Sequence, residues 1–287
     1  MNNRRDFLKI SSAFTLGALL KPQSLWAESL AKKPIGLQLY SLREAMREDP
    51  QNTLRLVASI GYKSLETASY ADGKVYGMEP VFFRKYIEDL GMRLRSAHVG
   101  GPRTYDPAKK GEALDWWKKA VADHKAMGAK YLIKPSMPIP TTLKELDNWI
   151  DYYNSIGEIA KKSGMLFGFH NHAREFETIE GKIMMDYMIE NTDPKLVCFE
   201  LDVYWSQKGG QDPVAYLERY GGRFPLLHIK DEEEIGASGT MDFEAIFKAA
   251  YKQGMKDYFV EVERYNFEPI ESVQKSFEYL KRSTFVR

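Results

Sequence analysis

A helical pattern that closes on glycine, then a basic or polar residue, then a short apolar run recurs along the chain. It is legible in SIGYKSLE, DLGMRLRSAH, AMGAKYLIK, KSGMLFGFHNH and KQGMKDYFVEVE. Glycine just past a helix supplies a left-handed C-cap. The apolar run after it is short and bounded, as expected of a parallel strand buried on both faces. Eight such runs can be counted, at 35–40, 62–67, 93–98, 130–134, 165–171, 196–202, 224–230 and 257–263. Between them lie helical segments such as PVFFRKYIEDL, ALDWWKKAVADHKAM, LKELDNWIDYYNSIGEIAKKS and MDFEAIFKAAYKQ.

Eight alternating units in residues 33–287 predict an α/β chain folded as one (β/α)8 barrel. The rival is an open doubly wound sheet. It usually has fewer strands, and its glycine-rich phosphate loop would follow the first strand, where LQLYSLRE stands instead. No linker or low-complexity tract divides the chain, so a single domain is expected.

Each run gives up polar residues at its C-terminal end. In order these are Gln38 and Tyr40, Glu66, His98, Lys134, His170 and His172, Asp202, His228 and Lys230, and Glu261 and Glu263. Side chains two apart on a strand share a face. In a (β/α)8 barrel the inward residues at that end build the active site. The five histidines sharpen the picture, because four of them, all but His124, fall at strand ends. A lone strand-end histidine is usually structural, and a structural role competes most for Tyr40 and Lys134. Four in one layer with carboxylates point to a divalent cation, whether Mn, Zn, Co, Fe or Mg. His170, Asp202, His228 and Glu261, from consecutive strands five to eight, form an available ligand set. In the HNH stretch, one imidazole can then bind the cation and the other handle a proton. Lys230 suits a substrate oxygen better than a metal.

Charge removes some functions. Lys and Arg total 41 against 40 Asp and Glu, a net charge of +1. That balance provides no electrostatic footprint for nucleic acid or an anionic membrane. Cys198 is the only cysteine, so no internal disulfide can form, and its apolar neighbours mark it as core filler. The opening stretch reads as something apart from the barrel. Arg4 and Arg5 precede Phe7, Leu8 and Lys9, an apolar run extends to Leu20, and Leu25-Trp26-Ala27 offers a cleavage point. This pattern predicts a twin-arginine export leader over 1–27 and a periplasmic mature protein without a stable membrane anchor.

The leader together with IGLQLYSLRE, SAHVG, GFHNHAREFE, ELDVYW, LLHIKD and YFVEVE resembles the xylose isomerase-like sugar isomerase/epimerase barrels. The resemblance spans the whole mature chain. It implies one divalent cation held by Glu, Asp, His and Glu from strands five to eight. Asp202, His228 and Glu261 match the last three, and His170 stands where the epimerases have Glu. Trp205 stands where they have a histidine. The implied chemistry is enolisation of a keto-sugar, with His172, Glu66, Glu263 and Lys230 as the catalytic set. Gln38, Tyr40, His98, Lys134 and Trp205 would contact the carbohydrate. Expulsion or gain of an oxygen at the adjacent carbon would make the same site a lyase or hydratase, as in inosose dehydratases and enzymes of 3-keto-glycosides. The missing strand-five Glu and the expected export favour that variant and a free keto-sugar. An apurinic endonuclease of the same superfamily would need more metal ligands and a basic face. A non-catalytic sugar-binding barrel could use the same cup with Tyr204 and Trp205. A homo-oligomer is left open.

Overall fold

The computed structural model describes residues 33–102 and 105–287. The expected export leader, residues 1–27, lies outside the described residues. Pro34–Phe285 form one compact unit. Eight parallel strands close into a barrel: β1 Gly36–Gln38, β2 Ser64–Thr67, β3 Arg93–His98, β4 Tyr131–Lys134, β5 Leu166–His170, β6 Val197–Asp202, β7 Leu226–Lys230 and β8 Asp257–Glu261. Neighbours in sequence are neighbours in space, and β1 pairs with both β2 and β8, with Gly36 opposite Phe259. The expected (β/α)8 architecture is therefore present.

The helices of the outer layer are α1 Arg43–Glu48, α2 Pro50–Ile60, α3 Pro80–Asp89, α4 Lys110–Met127, α5 Leu143–Lys162, α6 Met184–Asn191, α7 Val203–Lys208, α8 Pro213–Arg219, α9 Phe243–Gln253 and α10 Pro269–Arg282. The recurrent helix-glycine junction has a local cause. Gly128 ends α4 at φ 89 and Gly254 ends α9 at φ 93, both in the left-handed region that a side chain disfavours. At the other end of α5, Thr142 accepts from the Glu145 amide, and the Glu145 carboxylate reaches back to the Thr141 amide. That is a variant of the reciprocal cap.

Inside the barrel, Ile133, Cys198, Leu226 and Phe259 form a buried apolar plug, with Tyr131 and Leu166 packed on it. Gly168 leaves room for this layer. A Cβ there would lie 2.7 Å from Ile133 Cδ1 and 2.8 Å from Cys198 Sγ. The plug fixes strand parity. With Cys198 inward on β6, Glu200 and Asp202 also face inward, one and two steps nearer the mouth. On β7 the same holds for His228 and Lys230 beyond Leu226.

Several strands end earlier than their apolar runs. β1 stops at Gln38, and Leu39–Leu42 turn into a 3₁₀ helix, so Tyr40 is not a strand residue. β5 stops at His170 and β8 at Glu261, which places His172 and Glu263 just beyond their strands. After β5 a 3₁₀ turn, Arg174–Phe176, leads into a small antiparallel hairpin of Thr178–Ile179 and Lys182–Ile183. Among the described residues, no helix is long and apolar enough to cross a membrane.

Candidate active site

Strands β5 to β8 bring His170, Asp202, His228 and Glu261 together at the C-terminal mouth. One donor atom from each can be chosen so that all lie within 4.8 Å of one another, and all four residues are buried. His228 Nδ1 is 3.4 Å from Glu261 Oε2 and 3.8 Å from Asp202 Oδ2. His170 Nε2 is 3.5 Å from the same Asp202 oxygen. Both ring nitrogens of His170, His228 Nδ1 and Asp202 Oδ2 have no hydrogen-bond partner. Buried polar atoms are ordinarily paired. Orphaned nitrogen and carboxylate atoms converging on one point fit a divalent cation, and two imidazoles with two carboxylates suit a transition metal.

The electrostatics of three of the four agree with that fit; on His228 burial is outweighed by Glu200, Glu261 and Glu66, which hold the ring well above the ordinary imidazole range, so a cation at Nδ1 would displace a proton. Burial holds His170 well below the ordinary imidazole range, so it is a neutral donor. Burial also pushes the Asp202 carboxyl up to about 7. A cation would favour its ionised form. For Glu261 burial opposes ionisation, but Lys230 and His228 outweigh it and hold the carboxyl well below its usual range. Lys230 Nζ donates to Glu261 Oε2 at 3.0 Å and lies 3.1 Å from Glu263 Oε1.

A cavity of about 350 Å³ opens onto this group, with Tyr40, His98, His170, His172, Glu261 and Glu263 among its walls. The His172 ring stands nearly perpendicular to His170, with centroids 4.9 Å apart, and 5.8 Å from Trp205. Its backbone N–H donates to the buried Glu175 carboxylate at 2.8 Å. Glu175 therefore braces the loop that presents His172. Burial pushes His172 down to about 4, which leaves a neutral imidazole at neutral pH. Trp205 stands beside His172 without lining the cavity, and Lys230 Nζ lies 5.6 Å from its ring centroid.

Five residues expected to act on or touch the substrate do not line the cavity: Lys230 and Trp205 stand beside the lining residues Glu263 and His172, and Lys134, Gln38 and Glu66 are held elsewhere. Lys134 faces the helix layer: Ile133 takes the inward position of β4, while Lys134 Nζ donates to the Gly100 carbonyl and sits over Trp149 of α5. Gln38 is fully buried, with its amide donating to Glu66 Oε2 and its carbonyl accepting from the Tyr40 amide. Glu66 is also fully buried, and its Oε2 lies 2.6 Å from His228 Nε2. It lies beneath the donor group, not across the cavity from it. Beside it lies Glu200, which the sequence reading passed over, 2.8 Å from His98 Nε2. Its signal was present: a charge inside the apolar run LVCFELD, two residues before Asp202. Glu175 carried no comparable signal, since an acidic residue in AREFE reads as surface.

Comparison with known proteins agrees with this fold. The profile of the xylose isomerase-like TIM barrel family matches residues 54–283. An inosose dehydratase of Geobacillus kaustophilus is 27% identical over 215 residues, which covers 69% of this chain and 67% of the relative. A crystal structure of a sugar phosphate isomerase/epimerase from Parabacteroides distasonis superposes with a TM-score of 0.85 at 37% identity, covering 90% of this chain and 100% of that one. The IOLI protein, solved with a bound zinc atom, shares the fold with a TM-score of 0.68 at 16% identity, covering 85% of this chain and 95% of that one.

Proposed function

The chain belongs to the xylose isomerase-like TIM barrel family, and from that membership we propose that it is a metal-dependent enzyme that enolises a keto-sugar. The observation that carries the reading is the set of orphaned donors on His170, Asp202 and His228, facing a cavity whose wall holds an unbonded neutral imidazole. His170, Asp202, His228 and Glu261 would hold the cation. When bound, it supplies positive charge against the oxygen that turns negative as a proton leaves the neighbouring carbon.

The remaining work falls to the chain's own side chains. His172 and the Glu263 carboxylate line the same cavity and are the two proton acceptors within reach of a carbon held there. The Lys230 ammonium, fixed between Glu261 and Glu263, donates to a substrate oxygen. Tyr40, exposed at the mouth, offers a flat face to a sugar ring. A zinc atom in the IOLI protein supports the choice of cation class.

A second reading is favoured by the inosose dehydratase relatives. His172 would take the proton alpha to the ketone and deliver it to a hydroxyl leaving the next carbon, a dehydration. Both readings share the first step, so one experiment tests both. The expected result is cation-dependent deuterium incorporation alpha to the ketone when candidate keto-sugars are incubated in D₂O, abolished by a chelator. Absence of exchange and turnover with the fully loaded protein would leave a sugar-binding barrel as the reading.

A further inference from the structure

Beneath the donor group lies a second buried constellation, Glu66, His98, Glu200 and His228, whose donor atoms also fall within 4.8 Å of one another. Composition alone would make it another cation site. Hydrogen bonding separates the two groups. In the upper one, the facing atoms of His170, Asp202 and His228 are orphaned. In the lower one, both imidazoles already pair through Nε2, His228 with Glu66 Oε2 at 2.6 Å and His98 with Glu200 Oε2 at 2.8 Å, while the second oxygens, Glu66 Oε1 and Glu200 Oε1, have no partner. The Gln38 amide adds a further donor to Glu66 Oε2 at 2.7 Å.

We propose that Glu66, with Glu200, fixes His228 as the Nε2–H tautomer and so commits its Nδ1 lone pair to the cation above. The proposal rests on the cation reading of the upper group. An imidazole that ligates a cation carries one N–H, and an ionised carboxylate can only accept. Burial opposes a second proton on His228, but Glu200, Glu261 and Glu66 outweigh it and hold the ring well above the ordinary imidazole range, so a cation must displace one of two protons. His228 Nε2 faces two carboxylate oxygens, Glu66 Oε2 at 2.6 Å and Glu200 Oε2 at 3.2 Å. The proton that stays when a cation binds is therefore the one on Nε2. Nδ1, which faces Asp202 and Glu261, gives up its proton and turns a lone pair to the cation. The ring cannot escape by rotation, because it is fully buried and stacked on His98 with centroids 5.1 Å apart and planes 17° apart. Glu66 is thus a positioning residue. A carboxylate behind a ligating imidazole also raises its basicity as a ligand.

The test has two independent readouts. The first is nitrogen NMR of ¹⁵N-histidine-labelled protein before and after loading with Zn²⁺, which reports which His228 nitrogen keeps its proton, with Glu66→Gln and Glu200→Gln compared with the wild type. The second is titration with Zn²⁺ against a competing chelator, which gives stoichiometry and affinity. The expected results are an Nε2–H tautomer, one tight equivalent of Zn²⁺, and an affinity 10- to 100-fold weaker in Glu66→Gln, about the effect of losing such an outer partner. Two equivalents in the wild type, falling to one in Glu66→Gln, would make the lower group a metal site and overturn the proposal. So would an Nδ1–H tautomer, or an unchanged affinity in both variants. If no Zn²⁺, Mn²⁺ or Co²⁺ binds, the cation reading itself fails, while the metal-free spectrum still shows whether the Nε2–H donates to Glu66.

Discussion

At the scale of single residues, function depends on which face a side chain takes. His172 is held at the cavity by the Glu175 bond to its backbone, not by any bond to its ring. Replacing His172 by Gln should therefore retain the cation while lowering deuterium exchange on the order of 10²-fold, read by metal analysis beside NMR. Loss of the metal as well would make His172 a ligand. Lys134 makes the opposite case. Its ammonium is spent on the Gly100 carbonyl, and burial pushes its pKa down to about 8. Lys134→Met keeps the stem over Trp149 and should leave kcat/KM little changed, whereas a loss of about tenfold, or 1.4 kcal/mol, would return it to the site. The ligand candidates were legible because histidine is scarce and carboxylates at strand ends stand out. The outward face of Lys134 was not legible, because a strand-end position does not reveal parity until the inward plug is known. Nor was the contact of Glu66 with His228, because strands two and seven are far apart in sequence.

Elements set the stability of this scaffold. In α4, His124 is fully buried, with Nδ1 bonded to the Ala120 carbonyl and Nε2 without a partner. Burial pushes its pKa down to about 4. The unfolded chain takes up a proton near pH 6.5 and the folded chain does not until about pH 4. Stability from this group is therefore present above pH 6.5 and is lost as pH falls through that window, by about 3 kcal/mol in all. His124→Leu should remove the effect, so that its stability relative to the wild type improves by about 2 kcal/mol between pH 7 and pH 5 in denaturant titrations. Parallel curves would mean that His124 titrates normally. In α5, Thr142→Ala removes the side chain that caps the Glu145 amide and should cost about 1 kcal/mol, measured the same way. Long helices and the glycine junctions were legible because their periods are strong. The short α1 and α7 and the hairpin 178–183 were not, since pieces that small are shaped by the barrel they pack on rather than by local pattern. The early ends of β1, β5 and β8 have a similar cause: apolar residues continue past the last ladder bond into packed turns.

For the whole molecule, a cation held by the upper group would link binding to folding. A cation that binds only the folded barrel adds about 2.7 kcal/mol at a hundredfold excess over its Kd, so a chelator should lower the melting temperature measurably, and an unchanged melting curve would contradict the cation site. Export belongs to the same scale and remains our proposal: Arg4→Lys with Arg5→Lys should strand the protein in the cytoplasm, as fractionation would show, and normal export would refute the twin-arginine reading. The barrel as a whole was legible because eight repeats of one unit leave few closed arrangements. Its closure has a consequence for biosynthesis. β1 emerges from the ribosome early, yet one of its two neighbours is β8. Until β8 has emerged, β1 and β7 are strands with an unpaired backbone edge, open to pairing with other nascent copies. Glu261 arrives on that same late strand. A chain stalled or truncated before β8 should be prone to aggregation and would lack a donor of the upper group, so metal loading would report that translation had run past the last strand.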